Sequence, residues 1–130
     1  MGYAPTMHSL ILAIWTLLAP GAERFPDAGR IADAIEAATG GDERLASVMA
    51  TYAWKESNLR PVVVGDGGRS CGTWQQDCRR IAGLSIKQQA ELWLRDVQAS
   101  SLAAVDSSPS RAAHRARLAM ALLERVKAVP

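Results

Sequence analysis

The length and composition of the chain are those of a folded globular domain. Its 130 residues include 48% hydrophobic and 22% charged residues, which excludes an intrinsically disordered chain and predicts one domain, 1–130. The formal net charge of +2 fits an anionic cell-wall or nucleic-acid partner but is too small to select either one. Charge therefore identifies no ligand.

The first predicted helix lies in an apolar run near the start of the chain. Residues 6–18 are mostly apolar, so a helix here is nearly all buried and lies centrally in the fold. The run 10–15 also suits the apolar region of a signal peptide, but no Lys or Arg precedes it. A buried helix is the favoured interpretation. The run is also shorter than the ~20 apolar residues that span a bilayer, so no transmembrane helix is expected.

The next two predicted helices lead to a carboxylate. Asp27 is the predicted N-cap of a helix over residues 28–38. Asp42 caps a third helix, whose apolar stripe is formed by Leu45, Val48, Met49 and Tyr52. Glu56 occupies the next i+4 step of this stripe. Its carboxylate is therefore predicted to face the core.

Helical periodicity stops after this third helix. The segment 58–74 contains one proline and several glycines, and is predicted to be extended, with a tight turn or short hairpin. Ser85 and Gln88 have the capping-box spacing at the start of a predicted helix over 86–105. The predicted fold is thus mainly α.

A last helix is predicted near the end of the chain. Ser108 supplies an N-cap and Pro109 a first-turn proline, and apolar periodicity then continues to Val129. This helix carries the basic residues Arg111, Arg115, Arg117, Arg125 and Lys127. We interpret them as a solvated face, because no nucleic-acid recognition motif accompanies them.

Cys71 and Cys78 bracket a Trp-Gln-Gln segment. No nearby histidine completes a zinc site, so neither metal nor cofactor is expected. A disulfide closing this short loop would fit a periplasmic or extracellular protein, whereas two free thiols would fit a cytosolic one. The sequence leaves both alternatives open.

Glu56 is the candidate catalytic residue. A carboxylate at the C-terminal end of a helix faces the negative pole of the helix dipole, and an apolar surrounding desolvates it; both effects favour the protonated form. Glycoside cleavage needs a protonated carboxyl, since the leaving sugar oxygen must receive a proton. Lys55 and Arg60 are expected to point elsewhere, which leaves no basic partner within sequence reach. The alternative is an ordinary surface glutamate at a frayed helix end.

The string from Trp54 to Gln75 resembles a known family. A helix ending in Glu-Ser, a short loop to a proline and then Ser-x-Gly-x-x-Gln is similar to the goose-type lysozyme and soluble lytic transglycosylase superfamily. The similarity covers roughly residues 45–75. It implies a lysozyme-like domain that cleaves the bond between N-acetylmuramic acid and N-acetylglucosamine in peptidoglycan, with a single glutamate as acid and then base.

The resemblance also implies roles for individual residues. Glu56 is the acid and Ser57 supports it, while a sugar-binding cleft is shaped by Ser70, Gly72 and Gln75. The chain would act in the periplasm or on the cell wall, as a phage lysis or virion-associated protein or as an exported bacterial one. We expect a monomer whose partner is the glycan strand, with no nucleic-acid partner.

Three further residues are candidates for sugar contact or catalysis. Many relatives carry a later tyrosine motif, but no tyrosine follows Gln75 in this chain. Tyr52 is a candidate to reach the acid and Trp74 to stack on a sugar, with core positions as the alternative for both. Asp66 is the candidate second carboxylate, and a turn residue between glycines is its alternative.

Two other functions compete with the enzyme. In the first, a lysozyme-like module binds glycan or a protein partner, and Glu56 has no catalytic duty. In the second, a helical nucleic-acid or assembly protein uses the basic last helix, which leaves the spacing from Glu-Ser to Gln75 unexplained. The enzyme therefore leads, and we expect Glu56 to face an open cleft whose other wall includes residues 70–75.

Overall fold

The computed structural model describes residues 6–128, which form six α-helices and three short β-strands. The helices are α1 (Met7–Leu18), α2 (Ala28–Thr39), α3 (Glu43–Ser57), α4 (Cys78–Ile81), α5 (Ile86–Ala99) and α6 (Pro109–Lys127). The strands are β1 (Val64–Gly65), β2 (Ser70–Cys71) and β3 (Gln76–Asp77). Short 3-10 helices cover Ala22–Arg24, Asp66–Gly68 and Leu102–Val105.

Helix α3 is the centre of the packing. It contacts α1, α2 and α6, while α2 packs in turn against α5. Its small residues Ala46, Ala50 and Ala53 are fully buried, which allows neighbouring helices to approach closely. Two buried indoles fix other elements to its backbone: Trp15 Nε1 donates to Ala50 O at 2.9 Å, and Trp74 Nε1 donates to Met49 O at 3.0 Å.

The three strands form one antiparallel sheet in the order β1, β2, β3. Val64 pairs with Cys71 across the first ladder, and Cys71 pairs with Gln76 across the second. A disulfide joins Cys71 to Cys78, with the two Cα atoms 4.9 Å apart. The bonded alternative for the cysteines is therefore the one that the structure contains, and it connects β2 to the first residue of α4.

Most of the predicted helix boundaries are confirmed. The apolar run forms α1, whose Leu10, Ile11, Ile14 and Trp15 are buried in the core. The Asp42 side chain accepts from the backbone of Arg44 and Leu45. Ser85 and Gln88 form the capping box of α5, and Ser108 caps α6. The predicted end of the last helix at Val129 lies outside the described residues.

One prediction about local structure is wrong, and two others are confirmed in part. Helix α2 begins as predicted, but the Asp27 carboxylate bonds Arg30 Nη1 at 3.0 Å and caps no backbone N–H. Helix α5 ends at Ala99 because Ser100 and Ser101 leave helical geometry, consistent with the tendency of serine to compete for backbone hydrogen bonds. The hairpin predicted within residues 58–74 is present as β1 and β2, and β3 adds a third strand just beyond that segment.

No helix within residues 6–128 is both long enough and apolar enough to cross a membrane. The most apolar helix, α1, has 12 residues. It packs into the core instead, through side chains that are at most 1% exposed.

The disulfide yields a prediction about stability. Reduction should lower the free energy of unfolding by at most about 2 to 3 kcal/mol, because the bond closes only a short loop in the unfolded chain. Urea unfolding with and without reductant measures the change. The Cys71→Ser, Cys78→Ser double variant is the control and should not respond to reductant. Equal stability of the oxidised and reduced wild type would contradict the prediction.

Candidate functional site

Glu56 lies in the last turn of α3, and its side chain is 16% exposed. Its Oε1 accepts hydrogen bonds from Arg111 Nη2, at 2.9 Å, and from Arg115 Nη1. Its Oε2 forms no hydrogen bond with any residue of the described chain. Both arginines belong to α6. No basic partner was expected for Glu56 among its neighbours in sequence. The packing of α6 against α3 provides two basic partners.

The chain turns sharply just after Glu56. Ser57 is buried, its Oγ donates to Ala53 O at 2.9 Å, and the same oxygen accepts from Arg60 N at 3.3 Å. Asn58 and Leu59 then have φ values of 51° and 59°, a left-handed conformation that is unfavourable for a leucine. Ser57 thus closes the end of α3 and holds the turn that follows. Ser57 makes no hydrogen bond to Glu56, so the supporting role that the resemblance implied stays a prediction.

Asp106 forms a second carboxylate centre beside Glu56. Its side chain is fully enclosed. The Oδ1 atom accepts from Arg111 Nε at 2.6 Å and from Ser107 N at 2.6 Å, and Oδ2 accepts from the Tyr52 hydroxyl. Tyr52 is itself fully buried. Tyr52 was predicted to reach Glu56. That prediction is wrong, because the Tyr52 hydroxyl donates to Asp106 instead.

The pKa values of this cluster reflect burial and hydrogen bonding together. Burial by itself raises the pKa of Asp106, but hydrogen bonds from Tyr52, Ser107 and Arg111 outweigh it and hold the pKa below its ordinary value. Burial, followed by the bond to Asp106, raises the pKa of Tyr52 far above its ordinary value. Burial opposes the charge of Arg111, but Asp106 and then Glu56 raise its pKa. Asp106 is thus a carboxylate and Tyr52 a neutral donor.

The basic face predicted for α6 is only partly solvated. Arg115 is 10% exposed at its side chain, and its guanidinium lies 5.0 Å from the centre of the Tyr52 ring. Arg111 is one helical turn earlier and faces the same side. At the other end of the helix pair, Lys127 Nζ bonds Glu43 Oε1 at 2.8 Å. Ion pairs therefore join α3 to α6 at both ends.

Asp66 and Ser70 form the turn between β1 and β2. The Ser70 hydroxyl donates to Asp66 Oδ2 at 2.7 Å, and Asp66 has a φ of 50°. Asp66 therefore occupies a turn of the kind that its flanking glycines indicated. No ion pair or hydrogen bond within residues 6–128 joins either residue to Glu56.

Gln75 and Gly72 serve the sheet from inside. Gln75 Nε2 donates to Val63 O at 3.1 Å and to Gly72 O at 3.0 Å, so the amide braces the hairpin. Gly72 has a φ of 84°, and a Cβ there would lie 2.7 Å from Gln89 Oε1. Both residues therefore stabilise this part of the fold through contacts within the protein, and their role in a sugar-binding cleft stays a prediction.

Trp74 is a core residue. Its side chain is 2% exposed, and its indole N–H donates to the backbone of α3. No ring face is free for a sugar in this conformation. The predicted stacking role is therefore wrong, and the core position given as its alternative is confirmed. A large aromatic ring is used here for its buried apolar area.

A cavity of about 240 Å³ lies among residues of the sheet, α5 and the 3-10 helix Leu102–Val105. One of its lining residues, Trp93, lies 5.4 Å from the Tyr52 ring, and another, Val105, precedes Asp106. Two of its lining side chains carry buried polar atoms without a hydrogen-bond partner in the described chain, Gln76 Oε1 and Trp93 Nε1. The lining residues are Trp74, Gln75, Gln76, Asp77, Arg80, Trp93, Asp96, Ala104 and Val105.

Sequence reasoning missed Asp106 and the pairing of the two arginines. Asp106 directly follows the predicted helix 86–105, and no role was predicted for it from the sequence. The only local signal was the pair of serines, Ser100 and Ser101, at which α5 ends. Among residues 6–128, no three His, Cys, Asp or Glu side chains cluster as a metal site requires. The candidate site thus consists of two carboxylates, two guanidinium groups and one tyrosine hydroxyl.

Gly72 yields a prediction that separates a steric clash from backbone strain. Gly72→Ala should destabilise the fold by about 2 to 4 kcal/mol, since the new methyl group adds overpacking to a strained φ. Gly83 has a similar φ of 77° but open space at its Cβ position, so Gly83→Ala should cost about 1 kcal/mol. Urea unfolding of both variants provides the comparison. Equal losses would show that the contact with Gln89 is unimportant.

The enclosed Asp106 yields a prediction about acid stability. Because its pKa is lowered in the folded state, its contribution is complete above the unfolded value of about 3.9 and is lost as pH falls through the folded value. Asp106→Asn lacks this contribution. The stability difference between wild type and variant should therefore be largest near neutral pH and shrink below about pH 4. Urea unfolding across pH checks this, and a constant difference would contradict it.

Comparison of the chain with family models, curated proteins and solved structures gives no match. The resemblance of the Glu-Ser to Gln75 string to goose-type lysozymes and lytic transglycosylases therefore rests on the residues of this chain alone.

Proposed function

We propose that this chain is a lysozyme-like enzyme that cleaves the glycosidic bond between N-acetylmuramic acid and N-acetylglucosamine in peptidoglycan, with Glu56 as the general acid. One observation carries the proposal: the two oxygens of Glu56 have different surroundings. Oε1 is bonded to two guanidinium groups, and Oε2 has no hydrogen-bond partner in the described chain. The Glu56 side chain is thus largely buried, but its Oε2 is left to interact with another molecule.

The arrangement fits proton donation from Oε2. In a protonated carboxyl group, Oε1 is a carbonyl oxygen with two lone pairs, which suit the two arginine donors. Donation breaks the Oε2–H bond and forms an O–H bond on the leaving sugar oxygen while the glycosidic C–O bond breaks. Negative charge then develops on Glu56, where Arg111 and Arg115 already lie. Such preorganised charges stabilise the transition state more than the ground state.

The second half of the reaction uses the same carboxylate as a base. It removes a proton from the hydroxyl group that attacks the sugar cation. That hydroxyl group belongs either to water or to the sugar itself. Asp66 is not needed as a second catalytic carboxylate, since it is bonded within its own turn. Neither metal nor organic cofactor takes part in this scheme.

One feature outside the cluster supports a site of action outside the cytoplasm. The Cys71 to Cys78 disulfide is typical of proteins in oxidising compartments. We therefore assign the chain to the periplasm or the cell wall, acting as a monomer on glycan strands.

The ion pairs of Glu56 favour a second candidate function. A glutamate bonded to two arginines also suits a purely structural role, joining α3 to α6. In that case the domain binds glycan or a partner protein without cleaving it. The two functions differ in whether product is released.

Glu56→Gln tests the acid directly. The amide keeps the shape of the side chain but has no acidic proton to donate, so turnover of purified peptidoglycan should fall by about 10²-fold to 10⁴-fold. Product release is followed by mass analysis, in which anhydro ends identify transglycosylation and reducing ends identify hydrolysis.

Glu43→Gln is the matched control for this experiment. It also removes an ion pair between α3 and α6, but at the opposite end of the two helices. Its turnover should equal that of the wild type. Near wild-type turnover by Glu56→Gln would refute the catalytic assignment. A folded wild type that binds glycan strands but releases no product would establish the binding module instead.

A further inference from the structure

The guanidinium of Arg111 is shared between two carboxylates. Its Nε donates to Asp106 Oδ1 at 2.6 Å, and its Nη2 donates to Glu56 Oε1 at 2.9 Å. We propose that Asp106 is the positioning residue of the site: it occupies one half of the Arg111 donor pair and so prevents Arg111 from covering both oxygens of Glu56. This inference rests on the proposed function, because it concerns the oxygen that would donate the proton.

The first step of the argument is the geometry of arginine. Nε and Nη2 form one edge of a rigid planar group, and this edge matches the two oxygens of a carboxylate. An arginine beside a single carboxylate therefore tends to bind both oxygens at once. Asp106 instead takes the Nε donor, which leaves one donor of this edge for Glu56. Oε2 of Glu56 consequently stays free.

The second step is the firmness with which Asp106 is held. Its side chain is fully enclosed and also accepts from the Tyr52 hydroxyl and from Ser107 N. Arg111 by contrast is 43% exposed at its side chain, so by itself it has room to turn. The fixed partner therefore determines the orientation of the mobile one.

The third step concerns Arg115. Its Nη1 contacts Glu56 Oε1 and lies 4.0 Å from Asp106 Oδ2. Its guanidinium also lies over the ring of Tyr52, whose hydroxyl donates to Asp106. Asp106 thus contacts both arginines, although it forms no hydrogen bond with Glu56 itself.

Asp106→Ala releases Arg111, which then binds Glu56 through both donors and covers Oε2. The turnover number kcat on solubilised glycan strands should fall by about tenfold or more, while KM changes by less than about threefold. Asp27→Ala is the control, since it also removes a carboxylate that is bonded to an arginine, at the start of α2. Its kcat should equal that of the wild type.

A second substitution separates positioning from a structural role. Lysine has no planar donor pair, so Arg111→Lys added to Asp106→Ala cannot cover both oxygens of Glu56. The double variant should recover kcat by several-fold over Asp106→Ala alone. A residue that served only to stabilise the fold would show no such recovery, because the second change removes a further ion pair.

Several outcomes decide the question, with circular dichroism used to check folding. Where Asp106→Ala does not fold, Asp106→Asn keeps the shape and loses the charge, and a lower kcat at constant KM supports the inference. Wild-type kcat in a folded Asp106 variant, or no recovery in the double variant, overturns the inference while the proposed function stands. A folded wild type that releases no product overturns the proposed function, and this inference with it.

Discussion

The ion-pair cluster between the end of α3 and the start of α6 is the constraint around which this site is built. Two carboxyl groups, from Glu56 and Asp106, meet two guanidinium groups, from Arg111 and Arg115. Burial of charge is tolerated where each group has partners, and loss of one partner leaves another uncompensated. The positive pole of the α6 dipole adds a favourable field for both carboxylates. The end of α3 therefore cannot separate from α6 without exposing this cluster.

The cluster connects stability with the proposed chemistry. Glu56 lies at the C-terminal end of α3, where the guanidinium groups of Arg111 and Arg115 join it to α6. In the proposed reaction, the same arginines stabilise the charge that appears when the proton leaves. Under the positioning proposal, Asp106 keeps one donor of Arg111 away from Glu56.

The segment around the sheet contains strained backbone conformations. All four residues other than glycine with a positive φ in residues 6–128 lie between Asn58 and Gln75. Such conformations persist only where surrounding contacts hold them, and they often occur near functional sites. Here the Gln75 amide, the Asp66 turn and the disulfide hold a segment that has little regular structure. The irregular part of the chain is thus fixed by side chains, while the helices are fixed by packing.

The sequence by itself determined the features that depend on neighbours three or four residues apart. Apolar periodicity located α1, α2, α3 and α6, and the capping residues Asp42, Ser85 and Ser108 marked where helices begin. The same periodicity put Glu56 on the covered side of α3, where its side chain is largely buried. Pro61 and the glycines of the segment 58–74 likewise indicated an extended hairpin region there.

Only the tertiary structure decided what surrounds Glu56. Arg111 and Arg115 follow it by 55 and 59 residues, and their helical pattern alone indicated a solvated face. Asp106 came into the cluster because α5 ends early and a short 3-10 helix redirects the chain. Local rules cannot give these contacts, since the pairing of α3 with α6 depends on how the whole core packs. The position of Glu56 was therefore predictable from the sequence, whereas its hydrogen-bond partners were not.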